Sequence, residues 1–346
     1  MHLRWPLFSE SSTDTVASGQ REMRLWADST NLPLTGKHDY HYSERDSESK
    51  DVDVIITIEA NRRSLKCWQR ALAMPNLKEN QAAWDGAYDW HDAGDEWSTA
   101  WGGPSMQWYG SILPRIQRFV PTTTILEIAC GYGRWTQFLH DLCDKLIVID
   151  LSENCIQACR QRFADSSRIS YYVNDGTSLA MIGDESVDFA FSFDSLVHAD
   201  ELVVKAYITQ LARILKPGGA AFIHHSNLGD YPQYSIMERF PRLRRLLSLV
   251  GLLEKKSHWR DFSVTARKVA RYAEASGSRC VSQELVTWDT RRALIDCMST
   301  IVRKDSPLSR ANRVLKNRSF TREMRYLSRL APLYGPGDGA HRGLPQ

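Results

Sequence analysis

The chain holds no run of about 18 consecutive apolar residues, so no membrane-spanning helix is expected. It has no CxxC pair, and its seven cysteines (67, 130, 143, 155, 159, 280 and 297) form an odd set. That argues against a disulfide framework or a structural zinc site and leads us to expect reduced thiols in a cytoplasm. No internal repeat is visible. The start, MHLRWPLFSESST, turns polar straight after a short apolar patch, unlike a secretory signal. What remains is ordinary: 346 residues, 42% hydrophobic and 25% charged. Such a composition excludes wholesale disorder and suits one large domain with extensions.

Charge is unevenly placed. Residues 1–60 carry six Lys and Arg against eleven Asp and Glu, whereas residues 303–346 carry ten against three. The sequence therefore divides into a polar extension (1–60, with a candidate strand in Val54–Ile58), an aromatic-rich helical cap (61–120), an alternating core (121–302) and a basic tail (303–346). A basic tail can hold an acidic partner, but it is more often a solvated helix face. Five of the eleven tryptophans fall between Trp84 and Trp108. Their indoles suit packing against a sheet or a lid over a ligand, for which we single out Trp97 and Trp101 beside the Gly102-Gly103 step.

From 121 onward, short apolar runs alternate with helical spacing. Strands are expected at 125–129, 145–150, 169–173, 187–193 and 220–225, and a closing hairpin at 280–288 and 293–302. Helices are expected at 134–142, 155–163, 201–215 and 264–276, with a basic insertion at 228–262. Strand–helix alternation specifies an α/β fold, a mostly parallel sheet wrapped on both faces. Ligands bind at the carboxyl ends of such strands. The segment Ile125–Trp135, ILEIACGYGRW, runs from a strand through Gly131-x-Gly133 into a helix, so its backbone can approach a ligand closely. A dinucleotide loop would want a glycine where Thr136 stands. The second strand ends in Asp150, placed to receive two ribose hydroxyls. The third ends in Asn174-Asp175-Gly176, the fourth in Phe193-Asp194-Ser195.

As a set these residues resemble class I S-adenosylmethionine-dependent methyltransferases, of the small-molecule type found in bacterial glycan and natural-product pathways. The first family motif appears as Glu127-Ile-Ala129-Cys-Gly131-Tyr-Gly133, with alanine where the family has its first glycine, and LKPGG (215–219) is also typical. The resemblance implies a Rossmann-like seven-stranded sheet with an antiparallel last strand, and S-adenosylmethionine as methyl donor with S-adenosylhomocysteine as product. It implies cofactor contacts from Trp97, Trp101, Glu127, Ala129, Gly131, Gly133, Arg134, Asp150, Leu151, Asn174, Asp175, Gly176 and Phe193.

Methyl transfer needs in-line positioning, and a hydroxyl acceptor gains from a base. Candidate catalytic residues are His198, His225 and Asp194. His224 and His225 are neighbours in a strand, so only one of the two should look into the cleft. No metal is expected, because no acid follows His-His-Ser-Asn until Asp230. Nucleic acid is not the expected acceptor either: Phe-Asp-Ser-Leu replaces the Asn/Asp-Pro-Pro-aromatic motif, and no Pro-Cys dipeptide occurs. The expectation is O-methylation of a small hydroxylated molecule or sugar. An N-methyltransferase of a small amine or amino-acid unit is the alternative, and a non-catalytic cofactor-binding protein the outsider.

Overall fold

The computed structural model describes residues 77–238, 240, 242, 260–288 and 293–334, all within the unit Ser64–Gln346. The expected strand at Val54–Ile58, the first part of the cap, much of the 228–262 insertion and the last twelve residues lie outside the described set.

Eight strands form one sheet: β1 (Thr122–Ile128), β2 (Cys143–Asp150), β3 (Ile169–Val173), β4 (Val187–Ser192), β5 (Leu215–Ser226), β6 (Ser278–Val286), β7 (Asp296–Arg303) and β8 (Arg313–Asn317). Their order is β3-β2-β1-β4-β5-β7-β6-β8. Only β7 runs against its neighbours, pairing antiparallel with both β5 and β6. The parallel strands are apolar on both faces, as a sheet covered twice must be. Ile125, Leu146 and Val148 join one core cluster, and Leu126, Ile147 and Ile149 the other.

Helices Glu201–Ile214 and Ala266–Ala275 cover the second face through Val204, Ile208, Leu211 and Val269. The first face is covered by a helical run over 104–116 and by helices Glu153–Arg162 and Phe320–Tyr334. There Trp108, Phe189, Phe191 and Phe320 are essentially inaccessible to solvent. Each such side chain contributes about 1.5–3 kcal/mol through burial. Helix starts carry the caps their sequences offer. Ser152 accepts from Cys155 N–H at 3.1 Å and Asp200 from Val203 N–H at 2.9 Å, each contributing about 1 kcal/mol.

Two differences from the sequence expectation matter. The sheet has an eighth strand, β8, parallel to β6 at the outer edge, where seven strands were expected. Arg313–Asn317 is too short and polar to carry strand periodicity. The basic tail is also not merely solvated: helix Phe320–Tyr334 packs onto the 104–116 run, with Leu327 lying against Gly110 and Arg115 pairing with Glu323 at 2.8 Å.

Candidate active site

The carboxyl ends of the parallel strands open on a cavity of about 220 Å³. Because β7 is reversed, its first residue, Asp296, reaches the same edge opposite Ser226.

The Gly131 loop forms one wall. Gly131 has φ +57°, and a side chain there would press on the Trp90 ring. Trp90 also stacks on Tyr132 with centroids 4.5 Å apart and planes 8° apart. Ala129 and Asp194 are non-glycine residues with positive φ, 60° and 62°. Such backbone costs about 1–2 kcal/mol per residue, and strain of this kind clusters at functional sites. Asp150 closes the loop from below: its Oδ2 accepts from Gly131 N–H and its Oδ1 from Ser152 N–H, both at 2.9 Å. Burial pushes the Asp150 carboxyl up to about 6, despite these two donors.

Beneath the loop sits Glu127, 1% exposed, accepting from Thr136 Oγ1–H at 2.6 Å. Burial raises its carboxyl to about 8, with Asp150 adding to the rise. The folded chain therefore holds a proton that the unfolded chain releases between about pH 4.5 and 8, so stability falls as pH rises across that window. Asp150 contributes in the same direction at lower pH. Glu127→Gln, which keeps the hydrogen bond without the titration, should flatten the decline. Melting temperatures across the window check this, at about 2–4 °C per kcal/mol. A slope equal to that of the wild type would exclude Glu127 as its source.

At the other end of the cavity two guanidiniums converge on Asp194, Arg134 at 3.0 Å and Arg260 at 3.5 Å. Burial alone would raise the Asp194 carboxyl, but Arg134 and Arg260 outweigh it and hold the group below its ordinary range. Arg260 is also bonded to Asp296 at 2.9 Å, and the Trp288 indole N–H donates to the same carboxylate. Both guanidiniums lie over indoles, Arg134 over Trp135 at 4.6 Å and Arg260 over Trp288 at 5.1 Å. The Nη1 of Arg134 is buried without a hydrogen-bond partner, a cost that a ligand acceptor would remove.

Of the residues expected at the site, Ala129, Gly131, Arg134, Asp150 and Leu151 line the cavity, as do Trp97, Gly176, Asp194 and His198. The others stand back from it. Gly133 is held against Phe163 and Cys159, where a Cβ would clash. Asn174 orders the turn, its amide donating to Tyr207 and its oxygen accepting from Gly176 N–H. Asp175 turns outward and caps Thr177 and Ser178. Phe193 is buried edge-on to Trp135. Trp101 is core, packed edge-on against Trp288 and Phe320. His225, expected at the cleft, lies on the opposite face of β5. It is bonded to Ser299 Oγ and Ser226 O, both at 2.8 Å, and burial lowers its imidazole to about 4.

Its neighbour His224 takes the site-facing side but lies under Phe193 rather than in the cavity. His224 Nδ1 accepts from Asp194 N–H at 3.1 Å, which fixes the other proton on Nε2, 3.4 Å from Asp296. His198 does line the cavity, its ring 5.7 Å from Trp84, with its carbonyl accepting from Asn80. Sequence reasoning missed Asn80, Trp84, Trp90, Arg260 and Trp288. The aromatic density pointed to the right region for the two cap indoles, but nothing local marked Arg260. Among the described residues no group of three or more His, Cys, Asp or Glu is arranged to hold a metal.

Residues 125–219 match a family model described as a methyltransferase domain. A methyltransferase domain thus runs through this part of the chain. Phosphoethanolamine N-methyltransferase 1 of Triticum aestivum is 30% identical to this chain over 118 residues, covering 33% of it and 24% of the relative. Nodulation protein S of Sinorhizobium fredii is 28% identical over 100 residues, covering 29% and 45%. A solved structure, the N-methyltransferase NodS from Bradyrhizobium japonicum WM9, is 16% identical, covers 55% of this chain and 93% of its own, and has a TM-score of 0.37. This chain thus spans less than half the length of the two curated relatives. The matched methyltransferase segment begins in β1 and ends in β5, so Arg260, Trp288 and Asp296 fall outside it.

Proposed function

We propose that this chain transfers a methyl group from S-adenosylmethionine to a hydroxyl of a small molecule or sugar. The observation that carries the reading is the pairing, in one cavity, of the Gly131–Asp150 cradle with His198. The residues present suit the cofactor. Asp150 has acceptor capacity beyond its backbone donors for a ribose, and the unpartnered Nη1 of Arg134 suits a carboxylate. When bound, S-adenosylmethionine supplies an electrophilic methyl on a sulfonium.

The protein's part is to orient and to move one proton. Trp84, Trp90 and Trp97 wall the acceptor from water, raising the effective concentration of correctly placed groups. His198, which lines the cavity, takes the acceptor's hydroxyl proton as a general base. Asp194, whose charge is maintained by two arginines and which interacts with His198 electrostatically, stabilises the imidazolium that forms.

An N-methyl reading is favoured by one observation: a relative 30% identical over 118 residues is named an N-methyltransferase. A neutral amine needs orientation but no base. Calorimetry with S-adenosylhomocysteine, followed by assay of its formation with hydroxylated and amine acceptors, tests both. Binding should also alter the emission of Trp84, Trp90 and Trp97. Absence of binding overturns the cofactor assignment; turnover with amines alone overturns O-methylation.

A further inference from the structure

Well away from the cavity, the edge of the sheet carries an unusual surface. Among the described residues, strand β8 is paired on one side only, and Arg313, Val314, Leu315 and Lys316 are all exposed. Two aliphatic side chains stand there in water on opposite faces of the sheet: Val314 at 56% exposure on the far face, and Leu315 at 60% on the face that carries helix Phe320–Tyr334. Two residues further on begins helix Phe320–Tyr334. Its inner face is settled by contacts: Leu327 lies on Gly110 and Ala331 on Gly102. Its outer face therefore presents the helical stripe Arg322, Tyr326, Arg329 and Leu333. Tyr326, Leu333 and Tyr334 are between 63% and 77% exposed.

From 310 to 334 seven cationic side chains are exposed, and the one acid, Glu323, is half-buried and committed to Arg115. Self-pairing of two β8 edges would set Arg313 and Lys316 of one copy near those of the other, and cationic edges resist such pairing. The partner must therefore be anionic. Nucleic acid would satisfy the charge but leave Leu315 and Leu333, which share the helix's side of the sheet, in water. A lipid surface satisfies both, with cations at the headgroups and aliphatic and tyrosyl side chains at the acyl boundary.

We propose that β8 and the outer face of helix Phe320–Tyr334 form a peripheral docking surface for anionic lipid bilayers. The surface lies on the bilayer rather than in it, since among the described residues no helix is long and apolar enough to cross one.

Co-sedimentation of the full chain with vesicles tests this independently of any methyl transfer. Binding is expected to phosphatidylcholine vesicles containing phosphatidylglycerol, and not to phosphatidylcholine alone. Arg322→Gln, Arg325→Gln and Arg329→Gln together should weaken partitioning by about a hundredfold, at about fivefold per cation. Leu315→Ser with Leu333→Ser should weaken it further at high salt, where the electrostatic part is screened. Unchanged melting temperatures in these exposed variants would confirm that the loss is local. The proposal is overturned if anionic and neutral vesicles sediment equal amounts, or if the triple variant binds as the wild type does. It is also overturned if a single-stranded oligonucleotide competes vesicles away and its binding ignores the leucine changes, which would make the surface a nucleic-acid site.

Discussion

Asp150→Ala should weaken S-adenosylhomocysteine binding by about ten- to a hundredfold. The carboxylate at the end of β2 has two oxygens, each already accepting one backbone N–H, and an ionised carboxylate offers about four acceptor sites. The capacity that remains suits the ribose hydroxyls. Charge-assisted hydrogen bonds of this type contribute roughly 1.5–3 kcal/mol, and each 1.4 kcal/mol is about tenfold in affinity. The pH dependence follows from the same group. Burial places the Asp150 carboxyl at about 6, so in the ligand-free chain it is ionised above that value and protonated below it. Affinity should decline as pH falls through this range, and Asp150→Asn should remove most of the dependence. Titration calorimetry at several pH values reads both effects. Affinity within twofold of wild type for Asp150→Ala would place the ribose elsewhere.

His198→Ala is expected to lower turnover by about 10²–10⁴ for a hydroxyl acceptor, the usual range for losing a general base. That corresponds to roughly 3–5 kcal/mol of transition-state stabilisation. The loss should fall on kcat, with S-adenosylhomocysteine affinity nearly unchanged, because the imidazole serves the acceptor. The substitution keeps the His198 carbonyl that holds Asn80, so the cap should stay in place. His225→Ala is the contrasting variant. Its imidazole is bonded to Ser299 and Ser226 on the far face, so its removal should lower stability and leave the pH profile of turnover intact. Near-normal turnover in His198→Ala would indicate an amine acceptor or catalysis by orientation. Activity abolished by a chelator and restored by magnesium would replace the base with a metal.

How much of this was readable beforehand depends on how local the signal was. Ile169–Val173 is a strand with the bounds its apolar run suggests, because five consecutive residues with a turn at each end leave the backbone few alternatives. Asp150 and the Gly131 loop were legible for the same reason: strand, turn and helix start are adjacent in sequence. Trp97 and Trp101 were not separable. Both are indoles four residues apart, yet Trp97 reaches the cavity and Trp101 packs on Phe320, a partner more than 200 residues away. The His224–His225 alternation holds, but neither ring enters the cavity: His224 lies under Phe193 and His225 on the far face. Which ring takes which face depends on the register of β5 against β4, which pairs Phe222 with Phe191. Helix Phe320–Tyr334 did leave a sequence trace in Phe320, Met324, Leu327 and Ala331, spaced as one helical face.

The reversed strand β7 has a bearing on how the protein is made. Its register sets Asp296 opposite Ser226, about seventy residues earlier in the chain, and contacts of such separation form slowly. As the chain leaves the ribosome, the Gly131 loop and Asp150 are complete well before residue 200, whereas the Arg260–Asp296–Trp288 wall cannot exist until β7 inserts between β5 and β6. Domains emerge N-terminal part first, so a nascent chain completes the Gly131–Asp150 end of the cavity before the Arg260 end. Truncation behind β5 should therefore leave the cavity without its Arg260 and Trp288 wall.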